Sequence, residues 1–441
     1  MNFLFVLKLE TFAFSFVTIY NCVHIRHYNS EFIILNSELQ YEVNTMLASL
    51  PPLGWNSWNT FGEHISDALI REMADFMVDQ GWLAAGYNYL VIDDCWSLRD
   101  RDENGLLVPD PEKFPHGMKE LADYVHHKGL KFGMYSCAGV MTCAGYPSSY
   151  DHEFVDAQTF ASWGVDFLKY DFCNFPESGD CRNRYQTMAM ALKASGRDIL
   201  FSACNWGRHD PWKWMRSRGA HMYRSTGDIM DNYVSFTDIF KSQLDNLCMS
   251  GTDCFNDMDM LTVGMCGKGN VGFGKVCTYE EYRLQFALWC LCGVPLMMGA
   301  DLRSLKPEYV ALMQNKDLLR IDQDEECRPP FLIRRGSVFT SNPEPKEGEF
   351  PWRELPDSSF TLFRHLSGGE FALAFINLSE AETCMHCELV DLGLPVSSGF
   401  ALEVRDAFTG EVLGRKADYF NPTVPGHDMK LYLCSLVPAR G

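Results

Sequence analysis

Val165-Asp166-Phe167-Leu168-Lys169-Tyr170-Asp171 is an apolar run that stops on a carboxylate close to a lysine. It reads as a buried parallel strand whose last residues emerge at a barrel rim, where such barrels keep their chemistry. A second carboxylate, Asp228, closes the similar run His221-Met222-Tyr223-Arg224-Ser225-Thr226-Gly227-Asp228. Two carboxylates on separate strand ends of one barrel are the minimum equipment for cleaving a glycosidic bond. Lys169 and Asp171 lie two apart and share a face on a regular strand, so the ammonium would keep Asp171 ionised, as a nucleophile requires. Arg224 would steer Asp228 as it cycles between protonated and ionised forms. Each pairing has a plainer reading: a rim ion pair for Lys169, and a helix N-cap for Gly227-Asp228.

Asp93-Asp94-Cys95-Trp96 ends another apolar run. Adjacent strand residues point to opposite faces, so only a twist or bulge would bring both carboxylates into one pocket. Paired Asp with an indole nearby suits a sugar, whose vicinal hydroxyls need acceptors and whose apolar ring face needs a cover. The plainer reading is an Asx turn. Metal-assisted hydrolysis is the main rival class, but none of the candidate strand ends terminates in His. An all-oxygen cation site stays open. Cys384-Met385-His386-Cys387 has the look of a metal clip but lacks a second Cys/His pair at zinc spacing.

Positioning these groups requires repeated strand and helix units. Strand-like segments fall at 53–58, 87–96, 131–136, 165–173, 199–207, 221–228, 255–261 and 295–302. Amphipathic helical segments fall between them at 67–80, 117–128, 154–163, 182–194, 235–247 and 278–292, with Ser66 and Thr278 as caps. The alternation predicts a (β/α)₈ TIM barrel over 46–315. Alternating apolar and polar residues with hairpin turns predict a small antiparallel β-sandwich domain over 316–441, with a Pro/Glu-rich loop at 342–357.

At 441 residues and 46% hydrophobic content the chain has ample material for both cores. Its net charge of −20 disfavours nucleic acid and anionic membrane surfaces as partners. A homo-oligomer is left open. Residues 1–45 fit neither a membrane span nor a good signal peptide, because Lys8, Glu10 and Asn21 interrupt the apolar stretch. They are read as an over-extended reading frame ahead of Met46, or as an export segment. The 17 cysteines lack framework spacing, and buried free thiols in a reducing cytoplasm are expected; secretion is the alternative if 1–45 export the chain.

Together these motifs resemble glycoside hydrolase family 27, the retaining α-galactosidases and α-N-acetylgalactosaminidases. The matching residues are Pro52-Leu53-Gly54-Trp55-Asn56-Ser57-Trp58, Asp93-Asp94-Cys95-Trp96, Thr142-Cys143-Ala144-Gly145, Lys169-Tyr170-Asp171, Cys204-Asn205-Trp206-Gly207, Arg224-Ser225-Thr226-Gly227-Asp228 and Asn256-Asp257-Met258-Asp259-Met260-Leu261. The resemblance implies Asp171 as nucleophile and Asp228 as acid/base, a pair held roughly 5–5.5 Å apart in retaining enzymes. It implies that Trp55, Asp93, Asp94, Tyr135, Lys169 and Arg224 hold a terminal galactose, with Cys143 and Cys173 beside it, and that no metal or cofactor is required.

The chain departs from the family in three places. Thr60-Phe61-Gly62-Glu63-His64 replaces a cysteine-bearing loop, so Cys95 loses its expected partner, and Cys204 loses its own in the same way. In place of the Glu common in α-galactosidases at the 2-position loop stands Asn205-Trp206-Gly207, which is more like microbial members. There Asn205 would meet a 2-hydroxyl and Trp206 would crowd an acetamido group. The expected activity is retaining hydrolysis of α-D-galactosides such as raffinose or melibiose. α-N-Acetylgalactosaminidase, β-L-arabinopyranosidase and an inactive galactoside-binding barrel are the alternatives.

Overall fold

Apolar residues at a period of two build the barrel. The computed structural model describes residues 46–336, 340–341, 352–353 and 358–439. Its strands are β1 Leu53–Asn56, β2 Tyr89–Val91, β3 Lys131–Cys137, β4 Phe167–Asp171, β5 Leu200–Ala203, β6 Met222–Arg224, β7 Phe255–Asp257 and β8 Leu296–Met298. They pair in parallel in chain order, with β1 also against β8. The ring closes just past β7, where the Leu261 N–H donates to the Met297 carbonyl at 2.8 Å and the Leu261 carbonyl accepts from the Gly299 N–H at 3.0 Å.

Tyr89, Val91, Phe167, Leu200, Met222, Phe255 and Met297 fill the interior. The intervening Leu90, Leu168, Tyr170, Phe201 and Tyr223 pack outward beneath the helices. Along the inner face each strand turns polar toward its C-terminal end: Phe167 gives way to Lys169 and Asp171, Met222 to Arg224, and Phe255 to Asp257. Because all eight strands run the same way, these polar ends share one rim. The strands are shorter than expected. On β2 the extended backbone stops at Val91, and Asp93 and Asp94 lie in the turn beyond it.

The six expected helices form at Asp67–Asp79, Gly117–His127, Glu153–Trp163, Cys181–Ala194, Tyr233–Gln243 and Tyr279–Cys292. Ser66 Oγ accepts from the Leu69 N–H at 3.2 Å. Thr278 and Glu281 form a reciprocal capping box, as both expected caps require. Helices Pro307–Met313 and Lys316–Asp322 follow β8.

Six antiparallel strands then form a sheet in the order Val412–Lys416, Phe400–Asp406, Asp428–Pro438, Glu370–Asn377, Ser359–His365 and Phe331–Arg335. One face, with Phe360, Leu362, Ala374, Ile376 and Leu431, packs into the barrel's core. The other, with Phe363, Leu373, Phe375 and Val404, is covered by Met385, Cys387, Phe420 and Val424 from short ribbons. Cys384 and Cys387 belong to two different ribbons, so the clip suggested by their spacing does not assemble. The extension 1–45 lies outside the described residues, as does the 342–357 loop apart from Trp352–Arg353, which pairs with Thr340–Ser341. No helix among the described residues is long and apolar enough to cross a membrane.

Arg364 joins the sheet to the barrel. Fully buried, it donates from Nη1 to the carbonyls of Cys290 at 2.9 Å and Leu291 at 3.2 Å, and from Nε to that of Arg328 at 2.8 Å. It thereby closes the C-terminus of helix Tyr279–Cys292, where a Cβ on Gly293 would sit 2.6 Å from the guanidinium. Arg364→Met removes the donor from all three carbonyls. The expected loss is about 3 kcal/mol, read as a lower chemical-denaturation midpoint; an unchanged midpoint would show that water satisfies them instead.

Candidate active site

The two oxygens of each paired aspartate divide their work. Asp93 Oδ1 accepts from the Asp94 N–H at 2.9 Å, and Asp94 Oδ1 from the Cys95 N–H at 2.7 Å. Both contacts reach the next residue's N–H, not the N–H two residues on that an Asx turn would use. The second oxygens are held by other segments: Asp93 Oδ2 accepts from Lys169 Nζ at 2.7 Å and Asn56 Nδ2 at 2.8 Å, and Asp94 Oδ2 from the Ala144 N–H at 3.0 Å. Burial pushes the Asp94 carboxyl up. The turn, rather than a strand bulge, brings both carboxylates to one side.

Asp171 is the last residue of β4 and is held on both oxygens. The Phe172 N–H donates to Oδ1 at 2.8 Å, and the Tyr135 hydroxyl to Oδ2 at 3.2 Å. Tyr135 also lies 3.4 Å from Cys143 Sγ. Cys143 and Cys173 form a disulfide, the exception to the expected free thiols, while fourteen other cysteines among the described residues are unpaired. Cys95 and Cys204 are among the unpaired and are buried. Cys143, Asp171 and Cys173 are also the only grouping with metal-binding geometry among the described residues, and the disulfide occupies its two sulfurs. Burial raises the Asp171 carboxyl, and the Lys169 charge opposes it. Lys169 pairs directly with Asp93 rather than with Asp171.

Arg224 ends β6, and its Nη2 donates to Asp228 Oδ1 at 2.9 Å. Asp228 does not cap the following helix, contrary to the plainer reading: Asn232 does, accepting from the Ser235 N–H at 2.9 Å. Burial pulls the Asp228 carboxyl up, but Arg224 and Lys169 outweigh it and hold it below the ordinary value. Trp55 is buried, with Nε1 donating to the Ala300 carbonyl at 2.8 Å. Gly207 has φ +77°, and any Cβ there would meet the Ser225 carbonyl at 2.3 Å, so the loop's approach to β6 requires glycine. Trp206 packs edge-on against Phe172, with ring centroids 5.8 Å apart, and lines an open groove with Asp228. Asn205 is fully buried, and its amide nitrogen donates to the Arg208 carbonyl at 2.6 Å.

Sequence reasoning assigned no role to Asn56, Asp257 or Asp259, although all three lie in quoted motifs. With Lys169, Ser202, Cys204 and Arg224 they line a small cavity of about 30 Å³ under the rim. Burial pushes Asp257 up to about 6. The available signal was Asp257-Met258-Asp259 at a strand end, the same register logic that marked Lys169 and Asp171.

An eight-stranded barrel with two aspartates and a polar, cation-bearing rim at its strand ends defines a barrel glycoside hydrolase. A family model described as alpha galactosidase A matches residues 50–324, and one described as the alpha galactosidase C-terminal beta sandwich domain matches residues 360–434. The chain belongs to this α-galactosidase family, glycoside hydrolase family 27. It is 45% identical over 393 residues to α-galactosidase 3 of Arabidopsis thaliana, covering 89% of this chain and 83% of that one. The crystal structure of α-galactosidase I from Mortierella vinacea matches with a TM-score of 0.78 at 29% identity, covering 89% of this chain and 98% of that one. The α-galactosidase of Saccharomyces cerevisiae with raffinose matches with a TM-score of 0.77 at 27% identity, covering 88% and 98%.

Lys169 carries the charge that opposes the rise of Asp171. In Lys169→Met the carboxyl should titrate at higher pH, moving the acid limb of the kcat/KM profile upward. An unmoved limb would assign it to another group.

Proposed function

We propose that the chain removes terminal non-reducing α-D-galactose from short galactosides by double displacement, with Asp171 as nucleophile and Asp228 as acid/base. The contrast between the two aspartates carries this reading. Asp171 is 5% exposed and held on both oxygens, as an attacking group must be. The Asp228 side chain is 64% exposed on a loop, tethered by Arg224, and open to a leaving group and to water. In the first step an Asp171 oxygen bonds to the anomeric carbon as the bond to the leaving oxygen breaks, and the Asp228 proton passes to that oxygen. In the second step Asp228 takes a proton from water, whose oxygen displaces Asp171.

Electrostatics support the cycle. While ionised, Asp171 raises the proton affinity of Asp228, which favours the acid form. Formation of the glycosyl ester cancels that charge, and Arg224 then favours the ionised, basic form. Asp93 and Asp94 retain lone pairs for the axial 4-hydroxyl and the 6-hydroxyl. Trp55, Tyr135, Lys169 and Arg224 complete the sugar site, with Cys143–Cys173 beside it. Because Asn205 is buried, Trp206 is the residue that would crowd a 2-acetamido group. Raffinose- and melibiose-like sugars are the proposed substrates, and the raffinose bound by the yeast relative supports that class.

The test is hydrolysis of 4-nitrophenyl α-D-galactoside beside the corresponding α-N-acetylgalactosaminide and β-L-arabinopyranoside, with EDTA present. Preference for the galactoside is expected, and no turnover of any would point to a binding protein or a metal-dependent barrel. Asp171→Asn should lose about 10⁴-fold or more with the fold intact; a near-wild-type rate would sink the nucleophile assignment. Asp228→Ala should lose about 10³-fold on melibiose and much less on the nitrophenyl substrate, whose leaving group needs little protonation. Equal losses would argue against an acid role.

A further inference from the structure

We propose that Asp259 is a positioning residue for the reaction, the standing counter-ion of Arg224 that lets Asp228 alternate between neutral acid and anionic base. The inference rests on the acid/base assignment of Asp228. Arg224 Nη2 lies 2.9 Å from Asp228 Oδ1 and also 2.9 Å from Asp259 Oδ2. The two acids are otherwise unlike. Asp228 is open to water, whereas Asp259 is buried and fixed: its Oδ2 accepts from the Ile229 N–H at 2.7 Å and its Oδ1 from the Met260 N–H at 2.7 Å. Its own carbonyl accepts from Trp289 Nε1 at 2.8 Å. Through Ile229, Asp259 also holds the backbone of the residue next to Asp228.

A buried guanidinium without a carboxylate is strongly unfavourable. If Asp228 were the sole partner of Arg224, each protonation of Asp228 would leave that charge unpaired, and Asp228 would resist becoming an acid. With Asp259 in place, Arg224 stays paired in both states. The negative charge of Asp259 also favours the protonated form of its neighbour. Asp228 further faces Lys169 and Asp171 from β4, and Asp259 faces Asp257 from β7. A substitution at Asp259 leaves those charges in place.

Asp259→Asn keeps the size and one acceptor for the Ile229 N–H while removing the charge. The alkaline limb of kcat/KM on melibiose is expected to move down by about one pH unit. The kcat on melibiose should fall about tenfold or more, with a smaller loss on 4-nitrophenyl α-galactoside and little change in KM. An unmoved limb with equal losses on both substrates would reduce Asp259 to a structural residue and overturn the proposal. Asp259→Glu restores the charge and should return the limb to its wild-type position, even with kcat still low. Should the Asn variant not fold, the Glu variant carries the test, and a limb displaced downward in it refutes the counter-ion role. Asp228→Ala assayed alongside separates the two levels. If it shows no leaving-group dependence, the acid/base assignment fails; if it does and Asp259→Asn does not, only the present inference fails.

Discussion

Charges buried at the mouth of the barrel must be paired, and among the described residues two cations, Lys169 and Arg224, are set among Asp93, Asp171, Asp228, Asp257 and Asp259. Each cation is shared. Lys169 bonds Asp93 and acts on Asp171 through space, while Arg224 bridges Asp228 and Asp259. At low dielectric such sharing couples the acids, because a proton gained by one changes the field at the others. Arg224 thus ties the open Asp228 to the buried Asp259, and Lys169 ties Asp93 to the field at Asp171.

The barrel supplies this arrangement by register. A side chain two residues further along a strand stands one layer higher on the same inner wall. Phe167, Lys169 and Asp171 thus form floor, ion-pair layer and rim carboxylate on a single strand. The apolar floor of Phe167, Leu200, Met222, Phe255 and Met297 keeps water out from beneath, so the polar layer is wet only from the mouth. The outer helices contribute little to the chemistry itself, and their apolar stripes serve to hold eight short strands in a ring.

Much of this was legible in the chain. Buried parallel strands read as continuous apolar runs, and the carboxylates that end them stand out against that background. Strand ends were less legible, because inward-facing polar residues at the rim look like further strand. The 87–96 and 221–228 runs were both read too long for that reason. Gly227-Asp228 reads as a cap on paper, but in the structure Asp228 is held by Arg224 and Asn232 caps the helix. For Asp93-Asp94 the residue types leave a turn and a sugar site equally open, and the structure shows one oxygen of each carboxylate held by the next backbone N–H. Asp259 was invisible as a partner of Arg224 because the contact joins two strand ends that are distant in sequence, and local spacing carries no trace of it.

The closure of helix Tyr279–Cys292 by Arg364 bears on the order in which the protein is made. The eighth strand leaves the ribosome well before residue 364, so for that interval the helix ahead of it ends without the Arg364 guanidinium, and the Cys290 carbonyl has only the Gly293 N–H. The neighbouring apolar face that will meet Phe360, Leu362 and Ile376 is bare over the same interval. The barrel thus emerges complete in its strands but unfinished on one flank. Its final consolidation waits for the sheet that follows it, so the C-terminal β domain completes the packing of the domain that holds the active site.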